Sequence, residues 1–299
     1  MNRLNAALTI GTGFTLVAAF AAVFALAAPA SAQNQDTFTP MPQDQGFGPI
    51  DARLPSTPPD EIIKRFSAKE TEFQEAISHY TYRRTAKVDT IDDFRRAVDG
   101  EWYEEDDVIF TPDGRRTEKT VYSPANTLRR ILISPSDLQD IEGLYSFVLT
   151  TAEVPAYNIT YVGRQKVDEV DCYVFDVGPK QILKNHRYLL GRIWVDDHDP
   201  QILITSGRMV PDDTRKGHQD LHPPFMTWRD QIDHYWFPVY TKCEGILQFA
   251  GVKGRSGQSV HIREVVKYTA YKLSGTSAKT VDNGQEVQNQ NQPAPTQQK

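Results

Sequence analysis

Residues 188–200 read YLLGRIWVDDHDP, an apolar stretch that carries a tryptophan and is closed by acids, a histidine and a proline. Residues 234–238 read HYWFP, and residues 259–274 read SVHIREVVKYTAYKLS, in which charged and apolar side chains alternate. Alternation with a period of two is typical of a strand that has one face in the core. The second half of the chain is therefore predicted to form a broad antiparallel sheet.

The first half of the folded part is predicted to mix helices with strands, which makes the fold class α+β. Residues 60–78 carry apolar side chains at helical spacing, and residues 134–149 begin with Ser-Pro-Ser-Asp and continue in the same way. Between these helices, strands are predicted at 80–88, at 94–103, in a stretch that ends at 110, and at 115–122, with a turn over 111–114. The remaining strands are predicted at 157–161, 171–177, 187–195, 202–209, 225–232, 236–249 and 260–273.

The chain opens with a stretch that is predicted to be a signal peptide, residues 1–32. Arg3 is its only charged residue, residues 6–28 are largely apolar, and Ala30-Ser31-Ala32 are small residues of the kind that a signal peptidase reads. The alternative is an uncleaved membrane anchor, since the apolar stretch is long enough to span a bilayer. A cleaved signal of this type predicts export to the periplasm of a Gram-negative-type envelope.

Composition divides the rest of the chain into three parts. Residues 33–59 are rich in Pro, Gln and Asp and are expected to be a disordered linker. Residues 60–275 carry the helical and strand patterns and are long enough for one domain. Residues 276–299 are rich in Gln, Asn and Pro and are expected to be a disordered tail.

The charge of the chain narrows the range of partners. The whole sequence has a net charge of −6, and removal of the signal leaves 32 basic and 39 acidic residues, a net charge of −7. An acidic surface argues against a nucleic-acid-binding protein and against electrostatic docking to anionic lipid.

Three stretches of the second half carry a resemblance to a known family. They are residues 167–179 (VDEVDCYVFDVGP), residues 187–200, and residues 235–240 around the Trp-Phe-Pro sequence. With the order of helix, strand meander, helix and strand-rich half, residues 62–273 resemble the periplasmic lipoprotein-sorting and lipoprotein-carrier superfamily. The resemblance consists of strand and aromatic patterns and includes no catalytic signature.

The resemblance implies an unclosed, strongly curved antiparallel sheet, a half-barrel, with helices packed on its concave side as a lid. It also implies an apolar cavity between helices and sheet that holds acyl chains or another lipophilic ligand. Burial of each CH₂ of such a chain is worth about 0.8 kcal/mol. Arg83 and Arg84, which follow the first helix, are candidates among several strand arginines for the arginine that locks the lid in that family.

The aromatic residues of the second half supply the candidate ligand site. Most of them are expected to be sheet core, and strand alternation lets one strand supply both core and cavity. Trp194, Ile204 and Trp236 are predicted to lie on the concave side and to bind the ligand. The direction in which Trp194 points is the observation that decides between a ligand site and a packing or partner-binding role.

Two cysteines, Cys172 and Cys243, lie in predicted strands. In an oxidising compartment they could form one disulfide, whose closed loop would add about 4 kcal/mol of stability. The alternative is two buried thiols, because free cysteine is among the most buried residue types. The sequence leaves both open.

Three polar clusters have residue types found in metal or catalytic sites. Residues 196–199 (Asp-Asp-His-Asp) could bind a divalent metal, but turn chemistry explains them better. His218 and His222 have metal-ligand spacing, but the nearby glycine and prolines favour a loop. Residues 104–107 (Glu-Glu-Asp-Asp) could be paired carboxylates, but a solvated strand edge is the simpler interpretation. The sequence therefore predicts no catalytic residue, no metal and no cofactor.

The sequence favours one function and leaves two others open. The main hypothesis is a monomeric periplasmic carrier or binding protein for a lipid or for lipoprotein acyl chains, with a role in outer-membrane lipoprotein sorting. The alternative is a non-carrier envelope protein that senses or scaffolds a protein partner through the same sheet. A hydrolytic enzyme is third, since it would need a cleft of converging polar groups.

Overall fold

The computed structural model describes residues 46–111, 115–143, 146–184, 186–211, 223–249 and 257–274. This part of the chain contains two α-helices, one short 3₁₀ helix and ten strands. The helices are α1 (Pro59–Ile77), α2 (Pro135–Gly143) and the 3₁₀ helix Val154–Ala156. The strands are β1 (Tyr80–Asp92), β2 (Ala97–Phe110), β3 (Arg116–Tyr122), β4 (Tyr157–Val167), β5 (Val170–Pro179), β6 (Tyr188–Asp196), β7 (Ile202–Val210), β8 (Phe225–Ile232), β9 (Tyr235–Phe249) and β10 (Gln258–Leu273).

All ten strands belong to one antiparallel sheet in the order β3-β2-β1-β10-β9-β8-β7-β6-β5-β4. The order starts at β3 and ends at β4, so these two strands are the edges of an unclosed sheet. The predicted class is confirmed: the fold is α+β, an open half-barrel with helices on its concave side. Among the described strands, only β1 and β10 pair across a long stretch of sequence, and this pairing places the two halves of the described chain side by side.

The register assigns side chains to the two faces, because directly paired residues point to the same side of a sheet. Phe175 on β5 faces the helices, since its ring lies 5.8 Å from the ring of Phe66 on α1. The concave row through it is Phe175, Ile193, Thr205, Thr227 and Thr241. The next row, on the convex face, is Val174, Trp194, Ile204, Trp228 and Tyr240.

Helix α1 forms where the sequence predicted it. Pro59 occupies the first turn, and Asp60 and Glu61 are placed there favourably for the helix dipole. Its buried face includes Ile62, Phe66 and Phe73. These side chains pack on the concave face, and they cover the middle of the sheet.

Several predicted elements have different bounds in the structure, and two of the differences are large. The predicted strands at 94–103 and up to 110 form one continuous strand, β2, because the chain turns earlier, at 93–96, where Arg96 has a φ of +52°. Of the helix predicted over 134–149, residues 135–143 form α2 and residues 147–149 are not helical, while residues 144–145 lie outside the described residues. Residues 112–114 of the predicted turn lie outside the described residues.

The folded part extends further toward the N-terminus than residue 60. Phe47 and Asp51 bridge to Val167 and Arg164 on β4, within the stretch that composition assigned to a linker. Gly163 permits this close approach, because a Cβ there would lie 2.5 Å from the carbonyl oxygen of Asp51. The predicted signal peptide and the predicted tail (276–299) lie outside the described residues, and none of the described helices is long and apolar enough to cross a membrane.

Candidate functional site

A buried ion pair holds α1 against the concave face. Nη1 of Arg229, on β8, donates to Oε1 and Oε2 of Glu70 at 2.9 and 3.1 Å, and Nη2 donates to Oε2 at 3.2 Å. The side chains of Arg229 and Glu70 are 2% and 0% exposed, respectively. Such a pair is costly to break, because removal of one partner leaves a buried charge without compensation.

Further contacts complete the surroundings of this pair. The backbone N–H of Ile202, on β7, donates to Oε1 of Glu70 at 3.2 Å, and Arg229 also donates to the carbonyl oxygen of Phe147. The guanidinium of Arg229 lies 5.0 Å from the ring centre of Phe73. Helix α1, two strands and the segment after α2 therefore meet at one ion pair.

The sequence contained a sign of this pair. Glu70 is four residues after Phe66 and three before Phe73, so it lies on the apolar face of α1. An acid in that position needs a cation when the face is buried. Its partner could not be identified from the sequence, because Arg229 is 159 residues away.

A second buried arginine, Arg84 on β1, lies where helix α2 covers the sheet. It donates to Asp106 on β2 at 2.8 Å and to both carboxylate oxygens of Glu118 on β3 at 3.1 and 2.8 Å. Arg116 on β3 also contacts Glu118 and approaches Glu142 of α2 at 3.9 Å. Arg84 thus anchors strands β2 and β3, and its partners are not on α1.

Carboxylates outnumber guanidiniums in this region. Burial raises the pKa of Glu104, and the nearby carboxylate of Asp106 adds to the effect. Burial also raises the pKa of Glu142, followed by repulsion from Glu118. We call Arg84, Asp106, Glu118, Glu104, Glu142 and Arg116 the acid-rich cluster.

Among the described residues, a continuous core of side chains joins α1 and α2 to the concave side of the sheet. A pocket formed by described residues between Gln74, Phe147, Tyr157, His186 and Met209 has a volume of about 220 Å³. Pockets for drug-sized ligands measure roughly 300–1,000 Å³. The middle of the concave face of the sheet is also polar, because the hydroxyls of Thr227 and Thr241 share a hydrogen bond of 2.8 Å.

The predicted ligand-binding residues lie on the other face. Trp194, Ile204 and Trp236 belong to a separate cluster on the convex side, so their predicted concave placement is wrong. The concave positions of β6 are Ile193 and Val195, one residue to either side of Trp194. The three residues are near one another, and a ligand-binding role for them stays a prediction.

Trp194 is fully buried beneath the segment before α1. Its indole Nε1–H donates to Oε1 of Gln165 at 2.7 Å, and Gln165 donates to the carbonyl oxygen of Gly48 at 2.7 Å. The ring of Phe47 meets the indole edge-on at 5.6 Å. Trp194 is therefore a packing residue of the convex face, covered by the segment before α1.

The two cysteines are both present as thiols, and the disulfide left open by the sequence is absent. Cys172 on β5 lies in the convex cluster and Cys243 on β9 lies in the concave core, so their side chains point to opposite faces. Burial raises the pKa of the Cys172 thiol to about 12, with smaller effects from Asp196 and Asp171. This thiol is a packing group that is hard to ionise.

The polar clusters behave as structural groups where the structure describes them. Asp196 accepts from the backbone N–H of His198 at 2.8 Å, as expected for a turn. Of residues 104–107, Asp106 and Asp107 are paired with Arg84 and Arg83. His218 and His222 lie outside the described residues. Within the described ranges, no group of three or more potential ligands could hold a metal ion.

The two edges of the sheet differ in their cover. Edge β4 is bridged by Phe47 and Asp51, and Gly48 donates its backbone N–H to the carbonyl oxygen of Lys166 at 2.8 Å. In the described part of the chain, edge β3 pairs only with β2, and all seven of its residues are exposed, although the side chains of Arg116 and Glu118 are 30% and 22% exposed. An edge strand of this kind is a template on which another extended chain can add.

No family model matches this chain, and no curated protein matches it. Two solved structures are similar over most of their own length. The complex of Pseudomonas aeruginosa MucA and MucB shares 9% identity, covers 69% of this chain and 99% of the matched chain, and has a TM-score of 0.22. The crystal structure of MucB in complex with MucA(peri) shares 12% identity. The match covers 72% of this chain and 98% of the matched chain, with a TM-score of 0.19. These TM-scores are too low to carry an inference.

Proposed function

We propose that this chain is an exported, non-enzymatic envelope protein that binds a protein partner through its sheet, with the periplasm as its compartment. The observation that carries the proposal is the contrast, within the described residues, between a packed concave core and an exposed edge strand. Helix α1 is pinned by Glu70 and Arg229, whereas β3 is exposed along its whole length.

The bare edge supplies the mode of binding. Strand addition gains affinity from main-chain hydrogen bonds and specificity from alternate side chains. The side chains of β3 include the apolar Val121 and Tyr122, which are 46% and 55% exposed, and the charged Lys119. An extended partner segment would therefore meet both apolar and charged groups along one strand.

Lipid carriage is the weaker alternative. A carrier needs an apolar volume between helices and sheet, and each buried CH₂ would contribute about 0.8 kcal/mol. The pocket of about 220 Å³ on the concave side is small for an acyl chain and is partly lined by polar groups. Thr227 and Thr241 on the concave face of the sheet favour contact with protein side chains over contact with a lipid tail.

Two measurements on the mature chain, purified from the envelope of its host, test the proposal. A photo-reactive residue at Lys119 on β3 is expected to cross-link one discrete protein, while the same residue at Lys166 on β4 is not. Both lysines are exposed and on edge strands, but the backbone of Lys166 is already bonded to Gly48. Organic extraction with mass spectrometry is expected to release no stoichiometric lipid. Stoichiometric acyl lipid with no cross-link from Lys119 would overturn the proposal in favour of the carrier.

A further inference from the structure

A groove of about 450 Å³ lies at the tip of the β1–β2 hairpin. Hairpin residues and the chain segment that follows β3 line it together. Its charged lining residues are Arg95, Arg129 and Arg130 with Asp92 and Asp99. An excess of guanidiniums is notable on a chain whose net charge is −6.

One of the three arginines is used by the fold itself. Arg130 donates to Asp99 at 3.0 Å and to the carbonyl oxygen of Ile91 at 2.7 Å. Asp99 also accepts from the hydroxyl of Thr90 at 2.6 Å. The hydrogen bonds from Thr90 and then from Arg130 lower the pKa of Asp99, so this carboxylate stays ionised and satisfied. The pair forms a fixed wall of the groove.

The other two arginines keep donors for a ligand. Arg129 is exposed and makes no ion pair or hydrogen bond with any residue that the structure describes. Arg95 is 77% exposed and only approaches Asp92, at 3.6 Å. A guanidinium presents five donors in a planar fork that matches a carboxylate. The groove thus has unused donors on both of the elements that line it.

Apolar surface lies beside these donors. Phe94, in the same turn as Arg95, is 97% exposed, and Val98 on the groove lining is 45% exposed. Burial of such an exposed aromatic side chain by a partner would be favourable. The groove lining therefore combines cationic residues with the apolar Val98, and Phe94 lies in the adjoining turn.

We propose that this groove binds an acidic segment of a protein partner, with carboxylates on Arg129 and Arg95 and an apolar side chain on Phe94 and Val98. Charge complementarity favours a short acidic peptide, because carboxylates pair with guanidinium forks in two-point fashion. A nucleic acid or an anionic membrane would meet the acidic remainder of the surface. The proposal deepens the proposed function by naming the chemistry of the partner, and it rests on that function for the class of occupant.

The test uses the full mature chain and a fluorescent, end-blocked peptide of sequence Asp-Glu-Phe-Asp-Glu. Its neutral counterpart is Asn-Gln-Phe-Asn-Gln. Fluorescence anisotropy is expected to show binding of the acidic peptide only. Arg129→Gln and Arg95→Gln are each expected to raise Kd by about tenfold, the effect of one charge-assisted pair. The control Arg83→Gln removes the same charge from the pair with Asp107, outside the groove, and is expected to leave Kd unchanged.

Three results would overturn the proposal. The first is an acidic peptide that does not bind, or that binds Arg129→Gln as tightly as the unsubstituted chain. The second is equal binding of the neutral peptide. The third is Arg129-dependent binding of phosphatidylglycerol vesicles or of DNA in place of the peptide. Cross-linking at Lys119 is scored separately, so loss of the groove hypothesis and loss of the proposed function are distinguishable.

Discussion

Arg229 and Arg84 are both buried on the concave side, but the number of carboxylates around them differs. Arg229 faces one carboxylate, that of Glu70, and its remaining donor contacts a backbone carbonyl. Arg84 contacts two carboxylates, and the acid-rich cluster around it contains four carboxylates and two guanidiniums. The pair of Glu70 and Arg229 is balanced in charge, whereas the acid-rich cluster beside α2 carries excess negative charge.

The same division separates the two edges of the sheet. The balanced region adjoins strands β4–β9, whose outer edge is covered by residues 46–51. The acid-rich cluster anchors β3, the bare edge, through Glu118 and Arg116. The difference suggests that strands β4–β9 form a rigid scaffold. The surface formed by β1–β3 is exposed and sensitive to charge, and it contains both edge β3 and the groove at the β1–β2 hairpin.

Breaking the pair that pins α1 is expected to have the largest effect on stability. Glu70→Gln leaves the guanidinium of Arg229 buried without a counter-charge, so the free energy of unfolding should fall by about 3–5 kcal/mol. Urea denaturation followed by circular dichroism measures this. The double variant Glu70→Leu with Arg229→Met should recover most of the loss, because it removes both charges together. A loss below 1 kcal/mol for Glu70→Gln would show that the pair does not hold α1.

Arg84→Met is expected to lower the free energy of unfolding by less, about 2–3 kcal/mol. It removes the cation from Asp106, which is buried, and from Glu118, whose side chain is 22% exposed and can be hydrated in part. Urea denaturation measures the loss, and Arg83→Met, which breaks only a half-exposed pair, is the control. An equal loss for both variants would contradict a special role of the buried arginine.

The sequence predicted the strands and α1 well, because period-two and helical patterns are local. It misplaced Trp194, because both faces of β6 are buried: Ile193 and Trp194 are each 0% exposed, and alternation then carries no information about which face is concave. The burial of the convex face depends on residues 46–51, whose composition resembles a linker. Contacts made by such a segment cannot be read from its own pattern.

Gly163→Ala tests the cover of edge β4. The added Cβ would lie 2.5 Å from the carbonyl oxygen of Asp51, so the segment over β4 must shift, at a cost of about 1–2 kcal/mol. We expect a lower urea midpoint and, because an edge becomes available, self-association in analytical ultracentrifugation. Gly143→Ala is the control, since a Cβ there meets nothing within 4 Å. A monomeric Gly163→Ala with unchanged midpoint would show that the cover does not protect the edge.

The charge excess around α2 is expected to give the smallest but most specific effect, a dependence of stability on pH. Burial and then repulsion from Glu118 raise the pKa of Glu142, and together they outweigh the attraction of Arg84 and Arg116, which lowers it. The folded state therefore holds this proton more tightly than the unfolded state, so stability falls as pH rises from the ordinary value of 4.5 to the raised pKa and is then constant.

Glu142→Gln mimics the protonated carboxyl, so it should stabilise the chain at pH 7 and make no difference below the ordinary pKa. Because the side chain is 34% exposed, solvent screening keeps the gain below about 1 kcal/mol. Urea midpoints at several pH values measure the profile. Glu75→Gln, an exposed position on α1, removes the same charge and should not change the shape of the profile. A Glu142→Gln variant that is less stable at pH 7 would mean that the contact with Arg116 dominates, and the contrast between the two regions would then rest on Glu104 alone.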